Sequence, residues 1–222
     1  MSDWWTYRLE DFLLFSPRVY WRMVELHNGA WWPLHLATLA AGIVILFVVL
    51  RRPHRRESYI ILVLAAVWAF VGWAFLWERY AAINWAIVYV APAFWLQALL
   101  LAILGVTGGL SFAGRDFAAQ VALLLALAGL LAYPLLPLFA ERPWSGGEVF
   151  GIAPDPTAIV TLGIVLTAGG RMPFALTPIP LLWLLTSGFT LRTMGDSQAW
   201  APLLAAGIVP ALLFWRHVRP GR

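Results

Sequence analysis

Seven apolar runs set the terms on which this chain can fold. They lie near Pro33–Leu50, Tyr59–Trp77, Asn84–Gly105, Phe117–Phe139, Pro156–Ala168, Met172–Leu191 and Ala199–Arg216. Crossing the ~30 Å hydrocarbon core of a bilayer takes about 20 helical residues. Backbone groups in lipid must be satisfied within the segment or across a closed barrel, so runs of this length are expected as helices. The expected fold is therefore all-α: a polytopic transmembrane bundle of about seven spans. The fifth run is short. It reaches about 20 Å at 1.5 Å per residue, which suits either a short span buried in protein or a re-entrant half-helix. Residues 1–30 are expected as an N-terminal interfacial segment and residues 31–222 as the bundle.

Composition supports a membrane protein. Only 12% of residues are charged and 62% are hydrophobic, whereas soluble domains carry about 25% charge. The basic residues, all arginine, sit between the apolar runs and form no polar face, so no nucleic-acid partner is expected. There is no cysteine, which excludes disulfides, thiolate metal sites and c-type haem attachment. The opening "MSDWWTYRLEDF" has acids where a secretory leader would be basic, so no cleaved leader is expected. No HExxH, phosphate loop, dinucleotide fingerprint or nucleophile–base pattern occurs, and no enzyme activity is expected.

Arginine sets the expected direction. The Arg51, Arg52, Arg55 and Arg56 cluster resists translocation and belongs in the cytoplasm. Seven spans then place nine of 15 arginines inside, with the N-terminus outside and the C-terminus cytoplasmic. A re-entrant fifth run would reverse that bias. The expected compartment is the bacterial inner membrane. Trp4, Trp5, Trp21, Trp31, Trp32, Trp73, Trp77, Trp85, Trp144 and Trp200 fall at the outer boundary, as an aromatic girdle or as a docking surface. Before the first run, Ser16-Pro17 reads as the start of an amphipathic helix. Val19, Tyr20, Met23 and Val24 lie on one face, and Arg18, Arg22 and Glu25 on the other.

The candidate polar residues gather at the same boundary: His27, Asn28, His35, Glu78, Arg79, Asn84, Asp155 and Thr157, together with Glu141 and Arg142. Asp155, between Pro154 and Pro156, is expected to cap a helix, or else to bind a cation or polar solute at a mouth. Thr157, Thr161 and Thr167 are expected to bond a carbonyl one turn back or a neighbouring helix. Glu78-Arg79 reads as a solvated pair or an entrance filter, with Tyr80 and Asn84 opening the next span and Asn84 as its N-cap. Gln97, mid-membrane, needs a partner, through packing or along a pore. His35 is expected as a packed histidine, with a haem or pigment as the alternative; no other cofactor and no metal are indicated. No buried charge of the kind that marks ion relays is expected.

Three stretches carry a resemblance: "YWRMVELHNGAWWPLHLATLAAGIVIL", "GWAFLWERYAAIN" and "FGIAPDPTAIVTLGIVL". They resemble a bacterial multi-pass family known as a domain of unknown function (number sixty sixty-four). The matching motifs are His27 to Pro33, Ile83-Asn84, and Pro154 to Gly163. The tyrosine–histidine pair usual there before the Ile-Asn is replaced by Glu78-Arg79. The resemblance implies a membrane protein with no established activity. The expected function is a non-catalytic accessory subunit of a larger membrane complex, with the bilayer and other membrane subunits as partners. A channel or permease for a small neutral solute is the alternative, and a haem- or pigment-binding subunit the second.

Overall fold

The computed structural model describes residues 13–51, 57–108, 112, 116–140, 142–168 and 172–218. Trp4, Trp5, Arg8, Arg52, His54, Arg55, Arg56, Arg115, Glu141, Gly169, Gly170, Arg171, Arg219 and Arg222 lie outside the described residues. Among the described residues every regular element is helical, and the β contribution is a bridge between Phe150 and Ala153.

Helix α1 (Pro17–Ala30) starts as its sequence predicts. The Ser16 hydroxyl accepts from the Val19 N–H at 3.4 Å, and Pro17 occupies the first turn. Its buried residues are Tyr20, Met23, Val24, His27 and Asn28, the spacing of one helical face. That face docks on the bundle. Val19, assigned to it from sequence, is exposed instead.

Helix α2 (Leu34–Arg51) follows. Helix α3 (Glu57–Val71) continues through a π-helical stretch to Tyr80, so Tyr80 closes this pass and does not open the next. Helix α4 (Ile87–Thr107) has Ala86 as its N-cap; Asn84 instead bends the approach, its Oδ1 accepting from the Ala86 N–H at 3.2 Å. Helix α5 (Phe117–Leu127) passes into π-helical Ala128–Ala132 and 3₁₀-helical Tyr133–Phe139. Pro134 and Pro137 lack the N–H that a regular ladder needs. Helix α6 spans Pro154–Leu166. The sixth run is broken at Thr177 into α7 (Met172–Leu176) and α8 (Pro178–Thr193), again at a proline. Helix α9 (Trp200–Val218) ends the described chain.

Five helical stretches are long and apolar enough to cross a membrane: Leu34–Arg51, Glu57–Tyr80, Ile87–Thr107, Phe117–Phe139 and Ser197–Val218. Helices α6 and α8, of 13 and 16 residues, are shorter. Outward faces are oily, as with Leu36, Ile43, Val44, Phe47 and Leu50 on α2, which suits contact with hydrocarbon.

The 13 residues of α6 are all buried. It packs against α3, α5, α8 and α9 and forms the axis of the bundle. Against α5 the backbones nearly touch. A Cβ on Gly163 would lie 2.5 Å from the Ala122 carbonyl and 2.6 Å from the Ala126 N–H nitrogen, so only glycine fits this crossing. A helix that starts in an apolar interior leaves its first N–H groups without partners. Pro154 and Pro156 carry no N–H and remove two of those four orphans, which lets α6 begin deep in protein.

The two ends of α6 mark the two ends of the molecule. At its start, α1 ties the loops together. Trp21 Nε1–H donates to Asp196 at 3.0 Å, Asn28 donates to the Ser145 and Gly147 carbonyls at 2.7 and 2.8 Å, and Tyr20 stacks edge-on against Tyr80. Beyond its finish, Arg216 donates to the Ala168 carbonyl at 3.1 Å and to both oxygens of Asp116 at 3.0 and 3.1 Å.

Candidate functional site

The site stands at the α1 end, over the first turn of α6. Asp155 is 1% exposed, and three side chains from two other elements converge on it. Tyr133 Oη–H and Ser187 Oγ–H donate to Oδ2 at 2.7 and 2.6 Å, and Trp183 Nε1–H donates to Oδ1 at 2.7 Å. Such short bonds are those of a charge-assisted cage. The expectation that Asp155 caps its helix is corrected here. Ala153 is the N-cap, with no side-chain bond, and the carboxyl points away from the helix N–H groups into the cage. Trp183 and Ser187 are four residues apart on α8 and so share a face. Tyr133 is brought in by the tightened end of α5.

Beside it lies Glu148, 2% exposed, whose two carboxyl oxygens have no hydrogen-bond partner among the described residues. Burial, and after it the Asp155 charge, push its carboxyl well above the usual range, against the pull of Arg142. The Arg142 guanidinium makes no hydrogen bond to it, and all three of its nitrogens are buried without a hydrogen-bond partner among the described residues. It stacks 3.3 Å from the centre of the Trp21 ring and lies 3.7 Å from Asp196, too far for a hydrogen bond. Tyr20, Tyr80 and Tyr133 stand within electrostatic reach of both carboxyls. No buried charge of the ion-relay kind was expected, yet two acids, Asp155 and Glu148, are buried within the protein, and of these only Asp155 was singled out from sequence.

The loop that carries Glu148 is built to stay in place. His27 Nε2–H donates to the Ile152 carbonyl at 3.1 Å, which fixes its tautomer. Burial holds the His27 pKa at about 4, so the ring is neutral near pH 7. Asn28 has both amide hydrogens on loop carbonyls and accepts from His35 Nε2–H at 3.3 Å. Gly151 adopts φ +80°, and a Cβ there would press on Thr38 at 2.8 Å. Its N–H donates to Thr157 Oγ1, which donates back to the Ala153 carbonyl.

His27, Asn28, His35, Asp155 and Thr157 thus meet around one loop, while other candidates lie apart. Glu78 and Arg79 line a shallow groove of about 400 Å³ with Arg18 and Arg22 of α1. Asn84 is nearer, lining a small cavity of about 40 Å³ with Tyr20, Tyr80 and two of the Asp155 donors, Trp183 and Ser187. Gln97 is fully buried and donates to the Leu176 carbonyl at 3.0 Å, far along the chain from these groups. Thr161, halfway along α6, accepts from Trp68 Nε1–H at 2.9 Å. Sequence reading passed over Tyr133, Trp183, Ser187 and the special position of Glu148. The four-residue step from Trp183 to Ser187 in an oily run was the available signal. Among the described residues, no group of three or more His, Asp or Glu side chains could hold a metal ion.

Neither the curated proteins nor the solved structures compared with this chain yield a match. One family model does, described as a family of unknown function (DUF6064), and it covers residues 17–222, which takes in the docked helix, the axial helix and the caged acid together. The chain belongs to that family.

Proposed function

We propose that this protein crosses the bacterial cytoplasmic membrane seven times, with the α1 end outside and the Arg216 end in the cytoplasm. In this reading α6 and the α7–α8 pair are the two crossings shorter than lipid requires. Helix α6 can be short because protein, not lipid, surrounds it. Placing Arg51 and Arg216 inside follows the positive-inside bias.

The protein has no reaction of its own and serves as an accessory subunit of a larger membrane complex, offering its α1 end to the partner. The observation that carries this is the surface of that end. Trp32, Trp85, Trp144 and Trp200 are 64, 65, 60 and 55% exposed. Trp32 and Trp144 flank a groove of about 430 Å³ between α1, α2 and the Glu148 loop. Large exposed indoles are the residues that anchor interfaces. A permease reading has less support, since α6 fills the axis and Gln97 and Asn84 line no common cavity among the described ones. A haem at His35 has less still, because its Nε2 is engaged by Asn28.

A photo-crosslinking residue in place of Trp144 or Trp200, followed by mild-detergent purification from native membranes, tests this. Specific adducts with a membrane partner are expected, and none from Leu50 at the opposite end. A clean monomer without adducts contradicts the reading.

A further inference from the structure

We propose that Glu148 is the binding carboxyl of a buried monovalent-cation site at the α1 end, taking up a single positive charge, either a proton or a small metal cation, beside the caged Asp155. This does not depend on the accessory-subunit role.

The inference starts from satisfied and unsatisfied groups. Buried polar atoms are nearly always paired, and a buried ion without a counter-charge is expensive. Asp155 consumes the donors of Tyr133, Trp183 and Ser187. Glu148 receives none of them, and among the described residues its oxygens are both buried and unpartnered.

The charged groups that act on it are Asp155 from α6, Asp196 from the loop before α9, and Arg142 from its own loop. The neutral groups facing the pair are Tyr20 of α1, Tyr80 at the end of α3 and Tyr133 at the end of α5. Among the described residues three carboxyls therefore share a single guanidinium, which stacks on Trp21 and whose nitrogens, like the oxygens of Glu148, have no hydrogen-bond partner. With all three carboxyls ionised the group carries two more negative charges than positive, and Glu148 is the carboxyl that no donor meets.

Access follows from the alternation of the loop. Ser145, Gly147 and Val149 line the 430 Å³ groove, while Glu148 turns to the inside of the same extended segment.

Full-length protein in mild detergent provides the test. Tryptophan fluorescence and melting temperature are followed from acid to alkaline pH in choline chloride, then in sodium or potassium chloride at equal ionic strength. Trp21 and Trp183 report on the site directly. The wild type is expected to titrate. If the charge is a proton, sodium and potassium leave the midpoint in place. If it is a metal cation, the midpoint falls by about one pH unit for each tenfold of salt above its Kd.

Glu148→Gln imitates the occupied, neutral side chain. It is expected to abolish the response and to melt at or above the wild-type temperature near pH 7. Glu25→Gln, on the rim of the groove, is expected to keep the response. The proposal is overturned if the wild type ignores both pH and cations, or if Glu148→Gln still responds. It is equally overturned if Glu148→Gln melts well below wild type or fails to fold, since that would mean an ionised Glu148 already paired within the protein.

Discussion

The two ends of α6 solve the same problem in opposite ways. At the Arg216 end, the guanidinium binds the Ala168 carbonyl just past α6 and forks onto Asp116. One cation meets one anion, with side chains 18 and 28% exposed. At the α1 end, Asp155 is held by neutral donors, and Glu148 has no hydrogen-bond partner among the described residues. A helix start already favours negative charge and a helix finish positive charge. The finish is completed by an arginine, while the start gathers more negative charge than the protein itself neutralises. The lesson is that one end is a lock and the other is a receptor for charge.

The largest effect is expected from stripping the cage. Asp155→Leu leaves three buried donors unmatched and should cost about 3–5 kcal/mol, enough to lose most folded protein from membranes. Asp155→Asn should be much milder, because the Tyr133 and Ser187 hydroxyls can turn to accept from the amide while Trp183 still donates to Oδ1. Melting temperatures of the two variants measure the gap. Equal losses would mean that charge, not hydrogen bonding, holds this end.

At the lock, Asp116→Ala and Arg216→Ala should show a coupling of about 1–2 kcal/mol in a double-mutant cycle. Partial burial alone would raise the Asp116 carboxyl, but the Arg216 bonds and the Ala119 N–H override it and hold it below its usual value. Its stabilisation is therefore present above the unfolded carboxylate pKa and is lost as pH falls through the depressed value. Glu148 has the opposite sign. Its pKa is raised, so its contribution is full below the unfolded value and is lost as pH rises through the folded one. Two acids at opposite ends thus pull stability in opposite directions with pH.

His27 adds a third dependence at the α1 end. Its pKa falls from 6.5 to about 4 on burial, so the folded state resists protonation. The stability that this neutral ring supplies is present above pH 6.5 and drains away as pH falls towards 4, by about 3 kcal/mol at most. His27→Gln should flatten the melting profile across that window. An unchanged slope would assign the acid sensitivity to another group.

The smallest change is expected midway between the ends. Thr161→Val removes the acceptor of the buried Trp68 indole and should cost about 1 kcal/mol. It should leave the responses of both ends untouched.

The helices were legible because hydrocarbon permits little else. Each of the seven runs became a helix or a helix pair, and the Ser16-Pro17 start stood where expected. Which face each helix turns inward was not legible, because a helix that is oily all round has no stripe to read. The partners of Asp155 lie 22 to 32 residues away along the chain, and no local pattern joins them. Glu148 was hidden for a different reason. "SGGEVFG" reads as a glycine-rich surface loop, and only the anchoring by His27 and Asn28 turns its acid inward. His27, Asn28, His35, Asp155 and Thr157, named together from sequence, do meet around one loop, but the separation of Glu78-Arg79 and Gln97 from them was not readable.

Whether the acid-rich end faces outwards and the arginine lock faces the cytoplasm, as proposed, can be measured directly. The chain has no native cysteine, so single-cysteine variants report cleanly. In intact cells an impermeant maleimide should label Ser145→Cys at the rim of the groove, and should label Val218→Cys only after permeabilisation. Labelling of Val218→Cys in intact cells, with Ser145→Cys protected, would invert the molecule and contradict the assignment of its two ends.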